Sequence, residues 1–403
     1  MLAGLRVLDC TDERGFLAGK ILGDLGADVI KLEPPGGDPA RRQGPFLGDV
    51  ADLERALGWL ALNTSKRGIT LALERPEGVA LLRRLLARAD VLLESHAPGY
   101  FAERGLGSDL SRDFARLIHC AITPYGQSGP YAAFRGHDLT SVAMGGNAAS
   151  TGPREGPPLR CTLPTAYLHA APEAVLGITL ALHHRERTGC GQLVDVSLQE
   201  CQLSTLLGVP ARFALDGALP ARSGGHVGRT REIWRARDGW VSFGLRGGPA
   251  RVANLRATVA YMEECAMAPA WLHDQDWSAW DPAAASAAEL ARVESAFAAF
   301  FESKSMRELY EQALARRILL APCNDARAVL EHPQLRARGL FVTLELPHLD
   351  ARLEHPAFFA LSSRDELRVR RRAPRLGEHN AAVYGEIGVG AEELSALARE
   401  GVV

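Results

Sequence analysis

Short apolar runs alternate with segments of helical spacing through the first third of the chain. The apolar runs cover residues 6–9, 27–32, 69–73, 89–93 and 118–122, and helical spacing covers residues 15–25 and 76–88. Apolar strands that alternate with helices are typical of a parallel sheet covered on both faces. The pattern therefore predicts an α/β fold built on an open, Rossmann-like parallel sheet.

The rest of the chain predicts a large and a small domain. Residues 173–188 form a long apolar-rich helix that ends at Gly189, and residues 193–198 are a further strand. Between residues 217 and 229 the composition changes to glycine, alanine, arginine, serine and proline, as in a linker. We therefore predict a large domain over residues 1–216, a linker over 217–229 and a smaller α+β domain over 230–321.

Composition and charge argue against several classes of protein. The 403 residues are 47% hydrophobic, and a net charge of −2 gives no field suited to nucleic acid or to an acidic membrane surface. The sequence has no apolar run near the roughly 20 residues that span a bilayer. Its first residues enter a strand pattern without the features of a signal peptide. We expect a cytoplasmic protein.

Cysteine and histidine spacing gives no sign of a metal centre. The seven cysteines are scattered and none forms a C-x-x-C pair, which favours free thiols in a reducing compartment. His183 and His184 lack partners of suitable type and spacing for a metal. No Gly-x-Gly pattern follows the first strand in the manner of a dinucleotide site. We predict neither a metal nor a nicotinamide cofactor.

Four segments together carry a family resemblance. They are LGDLGADVIKLEPPGGDPARR at residues 22–42, HHRERTGCGQLVDVSLQE at 183–200, LRARGLFV at 335–342 and RRAPRLGEH at 371–379. From about residue 5 to its end, the chain resembles the class III coenzyme A transferase family, which also contains the α-methylacyl-CoA racemases. The resemblance implies an acyl-CoA and a carboxylic acid as substrates, with coenzyme A entering as a thioester.

The resemblance also implies an assembly. In this family two subunits are interlinked like rings of a chain, because the linkers of each subunit leave a hole that its partner threads. We expect an interlocked homodimer, or a heteromer with a paralogue. We also expect residues 322–403 to form a linker and a return to the large domain.

The residue at the reactive position departs from the family pattern. The family carries a segment like P-x-A-D-L twenty residues before the Arg of R-T-G-x-G-Q, and its Asp is the nucleophile of the transferases or an acid/base of the racemases. Here residues 164–168 read PTAYL, which puts Tyr167 at that position. A phenol with a pKa near 10 is a poor nucleophile without an activating base. Tyr167 then either donates a hydrogen bond to a carbonyl oxygen or only fills space.

A histidine provides a second candidate group. Gly136-His137-Asp138 matches the G-H-D of the racemase branch, and thirty residues separate His137 from Tyr167, as in the racemases. A histidine that titrates near neutral pH is a competent base for the α-proton of a thioester. A racemase would need another group on the opposite face of that carbon, such as Tyr167 or Glu173. The alternative for His137 is a structural histidine at the start of a helix.

The positions that contact CoA in the family are carried over by resemblance. They are Leu71, Ala72, Leu73 and Glu74 in place of L-D-L-K, Ser95, His96 and Ala97 in place of N-F/Y-R, and Asp138. Several basic and polar side chains that hold phosphate in the family are absent here. We expect the loss of these side chains to affect the affinity for CoA more than it affects the fold.

Three functions are compatible with these residues. The first is transfer of CoA between carboxylic acids, which family membership favours. The second is α-proton chemistry on an acyl-CoA, such as racemisation, isomerisation or dehydration, with His137 as the base. The third is a non-catalytic binding or scaffolding subunit that pairs with an Asp-bearing paralogue. The sequence does not indicate which acyl group is used.

Overall fold

Strands and helices alternate along the residues that the computed structural model describes, which are 1–106, 110–219 and 221–403. The strands are β1 Arg6–Cys10, β2 Asp28–Glu33, β3 Lys66–Thr70, β4 Val91–Glu94, β5 Ile118–Thr123, β6 Leu193–Ser197, β7 His226–Val227, β8 Thr230–Arg231, β9 Ile233–Ala236, β10 Gly239–Phe243, β11 Leu320–Pro322, β12 Phe341–Leu346 and β13 Ala351–Pro356. The helices are α1 Phe16–Asp24, α2 Leu57–Leu62, α3 Pro76–Leu86, α4 Tyr100–Glu103, α5 Leu110–Asp113, α6 Asp138–Met144, α7 Asn147–Ser150, α8 Thr165–Thr188, α9 Leu198–Cys201, α10 Gly208–Asp216, α11 Pro249–Glu264, α12 Ala270–His273, α13 Ala287–Glu302, α14 Met306–Arg316, α15 Ala326–Leu330, α16 Pro333–Ala337, α17 Asn380–Glu386 and α18 Ala391–Arg399. Short 3₁₀ turns cover Pro39–Arg42, Leu47–Asp49, Gln202–Thr205 and Pro347–Leu349.

The chain divides into two units. The first contains residues 1–148, 160–218 and 333–403, and the second contains residues 149–159 and 219–332. Pro220, which belongs to the predicted linker, lies outside the described residues. Each unit has hydrophobic clusters of its own.

A six-stranded sheet forms the centre of the first unit. Its strand order is β3-β2-β1-β4-β5-β6, and all neighbouring strands are parallel. The prediction of an α/β fold with a parallel sheet is confirmed. Small antiparallel sheets add to it, with β12 pairing with β13 in the first unit and the order β11-β10-β9 in the second.

Both faces of the parallel sheet are covered, which explains its nearly continuous apolar strands. Successive side chains of a strand point to opposite faces. Accordingly Val7 and Val91 belong to one buried cluster, with residues of α1 and α8, while their neighbours Leu8 and Leu92 belong to another, with residues of α3 and α17.

The third strand begins earlier than the apolar pattern predicts. The pattern begins at Ile69, but β3 begins at the charged residue Lys66. Lys66 is fully buried, and its ammonium group donates to the Asp9 carboxylate (2.8 Å), the Phe16 carbonyl (2.9 Å) and the Asn63 side chain (2.8 Å). A buried charge is tolerated when it is paired and hydrogen-bonded in this way.

The long helix α8 also begins earlier than predicted. The sequence places its start at residue 173, but the helix begins at Thr165 and continues through Pro172. Proline removes one backbone hydrogen bond and usually ends a helix. Packing of α8 against the sheet overrides that preference, because Ala166, Ala170, Ala171 and Ala174 are all fully buried. Tyr167 therefore lies in the first turn of a helix.

The second unit is a small α+β structure with an aromatic core. Its three-stranded antiparallel sheet packs with α11, α13 and α14 around Trp234, Phe243, Phe297, Phe300 and Phe301. In the first unit, the C-terminal residues 380–403 pack on the parallel sheet, since Val383, Tyr384 and Val402 join the cluster that contains Leu8.

Candidate active site

The order of the strands creates a crevice at one end of the parallel sheet. From β1 the sheet extends to one side through β2 and β3 and to the other side through β4, β5 and β6. In open α/β sheets, ligands bind at the carboxyl ends of the strands where this order reverses. That point lies between the ends of β1 and β4, at Cys10 and Glu94.

The loops after β1 and β4 are joined by hydrogen bonds. The backbone N–H of Asp12 donates to the Ser95 hydroxyl (2.8 Å), and that hydroxyl donates to the Asp12 carboxylate (2.9 Å). Arg14 donates to the same carboxylate through Nε (2.8 Å) and Nη2 (2.6 Å). Burial disfavours a charged carboxyl, but the hydrogen bonds from Arg14 outweigh it and lower the pKa of Asp12. The two loops thus form one connected, charged edge of the crevice.

A cavity of about 330 Å³ at this end of the sheet contains most of the predicted CoA-contacting positions. Its lining includes Leu71, Leu73, Glu74, Ser95 and His96. Ala72, Ala97 and Asp138 are not part of the lining. Ala72 is buried and donates its N–H to the carbonyl of Val402 (2.8 Å), and Ala97 is exposed.

Carboxylates outnumber cations in the lining of this cavity. Arg41 neutralises Glu33 through hydrogen bonds of 2.6 and 2.8 Å. In the described part of the chain, Asp38 and Glu74 have no cationic partner within 4.0 Å. Burial raises the pKa of Asp38 above its usual range. The cavity lining therefore offers no surplus positive charge to a nucleotide phosphate.

Glu94, the last residue of β4, holds two histidines. One carboxylate oxygen lies 3.3 Å from His119 Nε2, and the other accepts the backbone N–H of His96 (2.6 Å). Burial disfavours the ionised carboxyl, but the histidine contacts outweigh it and lower the pKa of Glu94. The ring of His96 stacks on Tyr100 with 3.9 Å between centroids, and both rings line the cavity. They offer a flat aromatic surface beside it.

Tyr167 is bonded to Asp138, the first residue of α6. The phenol oxygen accepts the backbone N–H of Asp138 (3.0 Å), and the Asp138 carboxylate accepts the N–H of Ala166 (2.9 Å). Asp138 therefore satisfies one of the free N–H groups at the start of α8. Burial raises the pKa of Tyr167 to about 12, and the charges of Glu13 and Asp12 act in the same direction. The phenol is therefore neutral at physiological pH and keeps its hydroxyl proton.

The surroundings of Asp138 bring together residues that are distant in sequence. Arg160 Nη1 lies 3.6 Å from the second carboxylate oxygen of Asp138, and its side chain is 42% exposed. His137 precedes α6, and its backbone N–H donates to the Thr140 hydroxyl (2.9 Å). Its side chain is exposed. Of the two predicted catalytic residues, Tyr167 is hydrogen-bonded to Asp138, whereas His137 is its neighbour along the chain.

The segment RTGCGQ has a structural role in this fold. Gly189 ends α8 with a φ of +78°, a left-handed conformation that favours glycine. A Cβ atom on Gly191 would lie 2.0 Å from the carbonyl oxygen of Leu117. The two glycines therefore allow the chain to turn tightly from α8 into β6.

Sequence reasoning missed two candidate site residues, Glu13 and Arg160. Glu13 lies in the first loop after a strand, in the segment Asp12-Glu13-Arg14, and its charge acts on Tyr167. That position at the end of β1 was the available signal. For Arg160 the sequence has no comparable signal, because its partner Asp138 lies in another segment.

No three His, Cys, Asp or Glu side chains in the described part of the chain are grouped so that they could hold a metal ion. Within the same residues, no helix has the length and apolar character needed to cross a membrane.

Comparison with known proteins identifies the family. Residues 2–380 match CoA-transferase family III. The crystal structure of a CaiB/BaiF family protein from Brucella suis has a TM-score of 0.80 at 30% identity, covering 96% of this chain and 98% of that one. The chain belongs to CoA-transferase family III and is a transferase of CoA between carboxylic acids. The family resemblance of the four segments is confirmed.

Three curated relatives span nearly the whole chain. The succinyl-CoA:(R)-benzylsuccinate CoA-transferase subunit BbsE of Thauera aromatica is 34% identical, covering 99% of this chain and 97% of the relative. The succinate–glutarate CoA-transferase of Agrobacterium fabrum is 31% identical, covering 96% and 95%. The beta subunit of succinyl-CoA–L-malate CoA-transferase of Chloroflexus aurantiacus is 31% identical, covering 100% and 98%. Two of these three relatives are named as subunits.

Proposed function

We propose that this protein exchanges CoA between two carboxylic acids and that Tyr167 occupies the position of the family's nucleophilic aspartate without acting as a nucleophile. Its role is to donate a hydrogen bond to the carbonyl oxygen of the acyl group. The observation that carries this proposal is the bond between Tyr167 and the backbone N–H of Asp138.

The geometry of that bond favours a donor role. Because the phenol oxygen accepts the N–H of Asp138, a lone pair is used and the O–H proton remains free to point elsewhere. Among the described residues this proton has no acceptor. When a nucleophile attacks a thioester, negative charge develops on the carbonyl oxygen, and a fixed neutral donor stabilises it. The raised pKa of Tyr167 keeps the proton in place.

A dicarboxylic acid is the substrate class that we propose. The relatives from Thauera, Agrobacterium and Chloroflexus are named for succinate or succinyl-CoA and for benzylsuccinate, glutarate or malate. In this chain the half-exposed guanidinium of Arg160 lies beside Asp138, one contact away from Tyr167. Arginine is well suited to bind a carboxylate in a bidentate manner. Arg160 would hold the carboxylate that does not react.

The assembly that we propose is a pair of family III chains, interlinked as expected from the family. Exposed leucines support it, with Leu176 and Leu180 on successive turns of α8 and Leu193 on the edge strand β6. Apolar side chains grouped on a surface are typical of a contact with another protein. The surplus of carboxylates around the crevice is a second reason to propose a paired assembly. Basic groups that bind the CoA phosphates would have to come from outside this cavity, and a partner chain is one source of them.

A second candidate is a subunit that works with an Asp-bearing paralogue. The observation that favours it is the naming of relatives as subunits, BbsE in Thauera and the alpha and beta chains in Chloroflexus. In such a heteromer the paralogue would supply the reactive aspartate. Proton transfer at the α-carbon of an acyl-CoA, with His137 as the base, stays a prediction, and the experiment below tests it as well.

The test uses the full chain purified alone and purified with an Asp-bearing paralogue. Each preparation receives succinyl-CoA and a labelled dicarboxylic acid, and the formation of labelled acyl-CoA is followed by mass spectrometry. Exchange by the chain alone supports the first candidate, and exchange only in the pair supports the second. Deuterium entering the α-carbon from D₂O without any acid acceptor would instead support His137 chemistry. No exchange in either preparation would refute CoA transfer.

A further inference from the structure

We propose that Asp195 is a positioning residue for CoA transfer. It holds the loop that follows β5, and this loop fixes the start of α6, where Asp138 binds the Tyr167 phenol. The inference rests on the proposed role of Tyr167 as a hydrogen-bond donor. It gives a function to the resemblance segment of residues 183–200, which contains none of the candidate catalytic residues.

The side chain of Asp195, on the edge strand β6, is bound to the loop of residues 124–129. One carboxylate oxygen accepts the backbone N–H of Gln127 (2.9 Å). The backbone passes close to this oxygen, because a Cβ atom on Gly126 would lie 3.4 Å from it. Gly126 has a φ of +86°, a conformation that glycine adopts readily. The carboxylate therefore holds a tight turn just beyond the carboxyl end of β5.

The residues that follow Asp195 hold the start of the same loop. The carbonyl of Pro124 accepts the backbone N–H of Gln199 (3.1 Å) and the hydroxyl of Ser197 (3.5 Å). The loop is thus attached at two points to one segment, residues 195–199. Closely packed protein resists compression and transmits strain, so a change at one attachment shifts the other contacts of the loop.

The loop packs against both ends of α6. Just before the helix, a Cβ atom on Gly136 would lie 2.7 Å from the Cβ of Pro124 and 3.1 Å from the Tyr125 hydroxyl oxygen. Only glycine permits so close an approach of the backbone. At the other end of the helix, the Tyr125 hydroxyl donates to the sulfur of Met144 (3.3 Å). The position of α6 is therefore set by the loop that Asp195 holds.

The start of α6 is bound directly to the reactive position. Asp138, two residues after Gly136, donates its N–H to the phenol oxygen of Tyr167 (3.0 Å). Its carboxylate accepts the N–H of Ala166, next to Tyr167 on α8 (2.9 Å). From Asp195 to the phenol, each step is therefore a hydrogen bond, a close packing contact or a short stretch of backbone. A displacement of Gly136 moves the group that orients the phenol.

The experiment measures CoA exchange by Asp195 variants with and without the Tyr167 hydroxyl. It uses the preparation that exchanges succinyl-CoA with a labelled dicarboxylic acid, either the chain alone or the pair. Asp195→Ala should lower kcat by about 10- to 100-fold, as misplacement of a group by about 1 Å does, and leave KM for succinyl-CoA unchanged. Asp195→Asn keeps an oxygen that can accept the Gln127 N–H, and it should retain most of the activity.

A double-mutant cycle separates positioning from general stability. In a Tyr167→Phe protein, Asp195→Ala should have almost no further effect on kcat, because its influence passes through the hydroxyl that is already lost. A purely structural role of Asp195 would lower kcat equally with and without that hydroxyl.

Two other variants complete the experiment. Gly136→Ala disturbs the same contact from the α6 side, because its Cβ would meet Pro124, and it should also lower kcat. It decides the question if Asp195→Ala does not fold, which urea unfolding of each variant shows. The matched control is Asp281→Ala in the second unit, where the carboxylate accepts the N–H of Ala283 (2.9 Å) in an exposed loop. This control should exchange CoA like the wild type.

The remaining outcomes separate this inference from the proposed function. Full kcat in a folded Asp195→Ala or Gly136→Ala protein would overturn the inference and leave CoA transfer intact. An equal loss of kcat in the wild-type and Tyr167→Phe backgrounds would do the same. Absence of exchange in the wild type, alone and paired, would overturn both.

Discussion

Replacing Tyr167 with phenylalanine removes one oxygen atom and keeps the buried ring. The lost oxygen is the acceptor for the backbone N–H of Asp138 at 3.0 Å, and both residues are less than a tenth exposed. A buried donor left without a partner costs about 1–3 kcal/mol. We therefore expect Tyr167→Phe to lower the free energy of unfolding of the first unit by that amount, with the packing around the ring unchanged.

The same change tests the proposed donor role in catalysis. Loss of one donor to the developing oxyanion typically costs a factor of about 10²–10³ in kcat. Initial rates of CoA exchange at varied succinyl-CoA concentration would give kcat and KM separately, and urea unfolding would give stability. The matched control is Tyr310→Phe on α14, which removes a phenol oxygen from the second unit. A variant that loses stability but keeps full kcat would refute the donor role, and one that loses neither would refute the hydrogen bond itself.

Three further changes are expected to have distinct effects. Tyr167→Asp restores the family's carboxylate, and we expect CoA exchange to increase while stability decreases, because a buried aromatic ring is lost; both are measured as for Tyr167→Phe. Gly191→Ala should destabilise the fold by about 1–3 kcal/mol in urea unfolding, because its Cβ would meet a carbonyl oxygen at 2.0 Å. For Glu378→Gln the effect depends on pH. Burial opposes ionisation of Glu378, but hydrogen bonds from Arg372 outweigh it and lower the pKa to about 2. The ionised carboxylate therefore stabilises the fold above its unfolded pKa near 4.5, and this stabilisation is lost as pH falls toward 2.

For each of these three predictions, one result would contradict it. A folded Tyr167→Asp protein that exchanges CoA no faster than the wild type would contradict the gain expected from the restored carboxylate. The control for Gly191→Ala is Gly385→Ala on α17, where an added Cβ atom meets nothing within 4 Å. An equal loss in both glycine variants would argue against a specific clash. For Glu378, wild type and variant should differ most near pH 6 and converge only as the pH falls through about 2 in unfolding experiments. A difference that is constant with pH would contradict the ionised pair with Arg372.

The parallel sheet and the family were accessible from the sequence because their signals are local. Consecutive apolar residues such as Val7 and Leu8 indicate a strand buried on both faces, and the structure assigns them to opposite clusters. The predicted starts of β3 and α8 were wrong, because at both places the residue types argued against a strand or helix that tertiary burial nevertheless stabilises. β3 begins at Lys66, because Asp9 in another strand neutralises its charge, and α8 continues through Pro172, because its alanine face packs on the sheet.

The sequence by itself determined the fold class, the family and the unusual tyrosine, because each depends on residue types at short or fixed spacings. Only the tertiary structure decided which groups meet. Asp138 caps α8 and bonds to Tyr167 from a separate helix, and Asp12 meets Ser95 because the carboxyl ends of β1 and β4 are adjacent. Burial and neighbouring charge set the protonation of these groups, and both arise only when distant segments of the chain pack together.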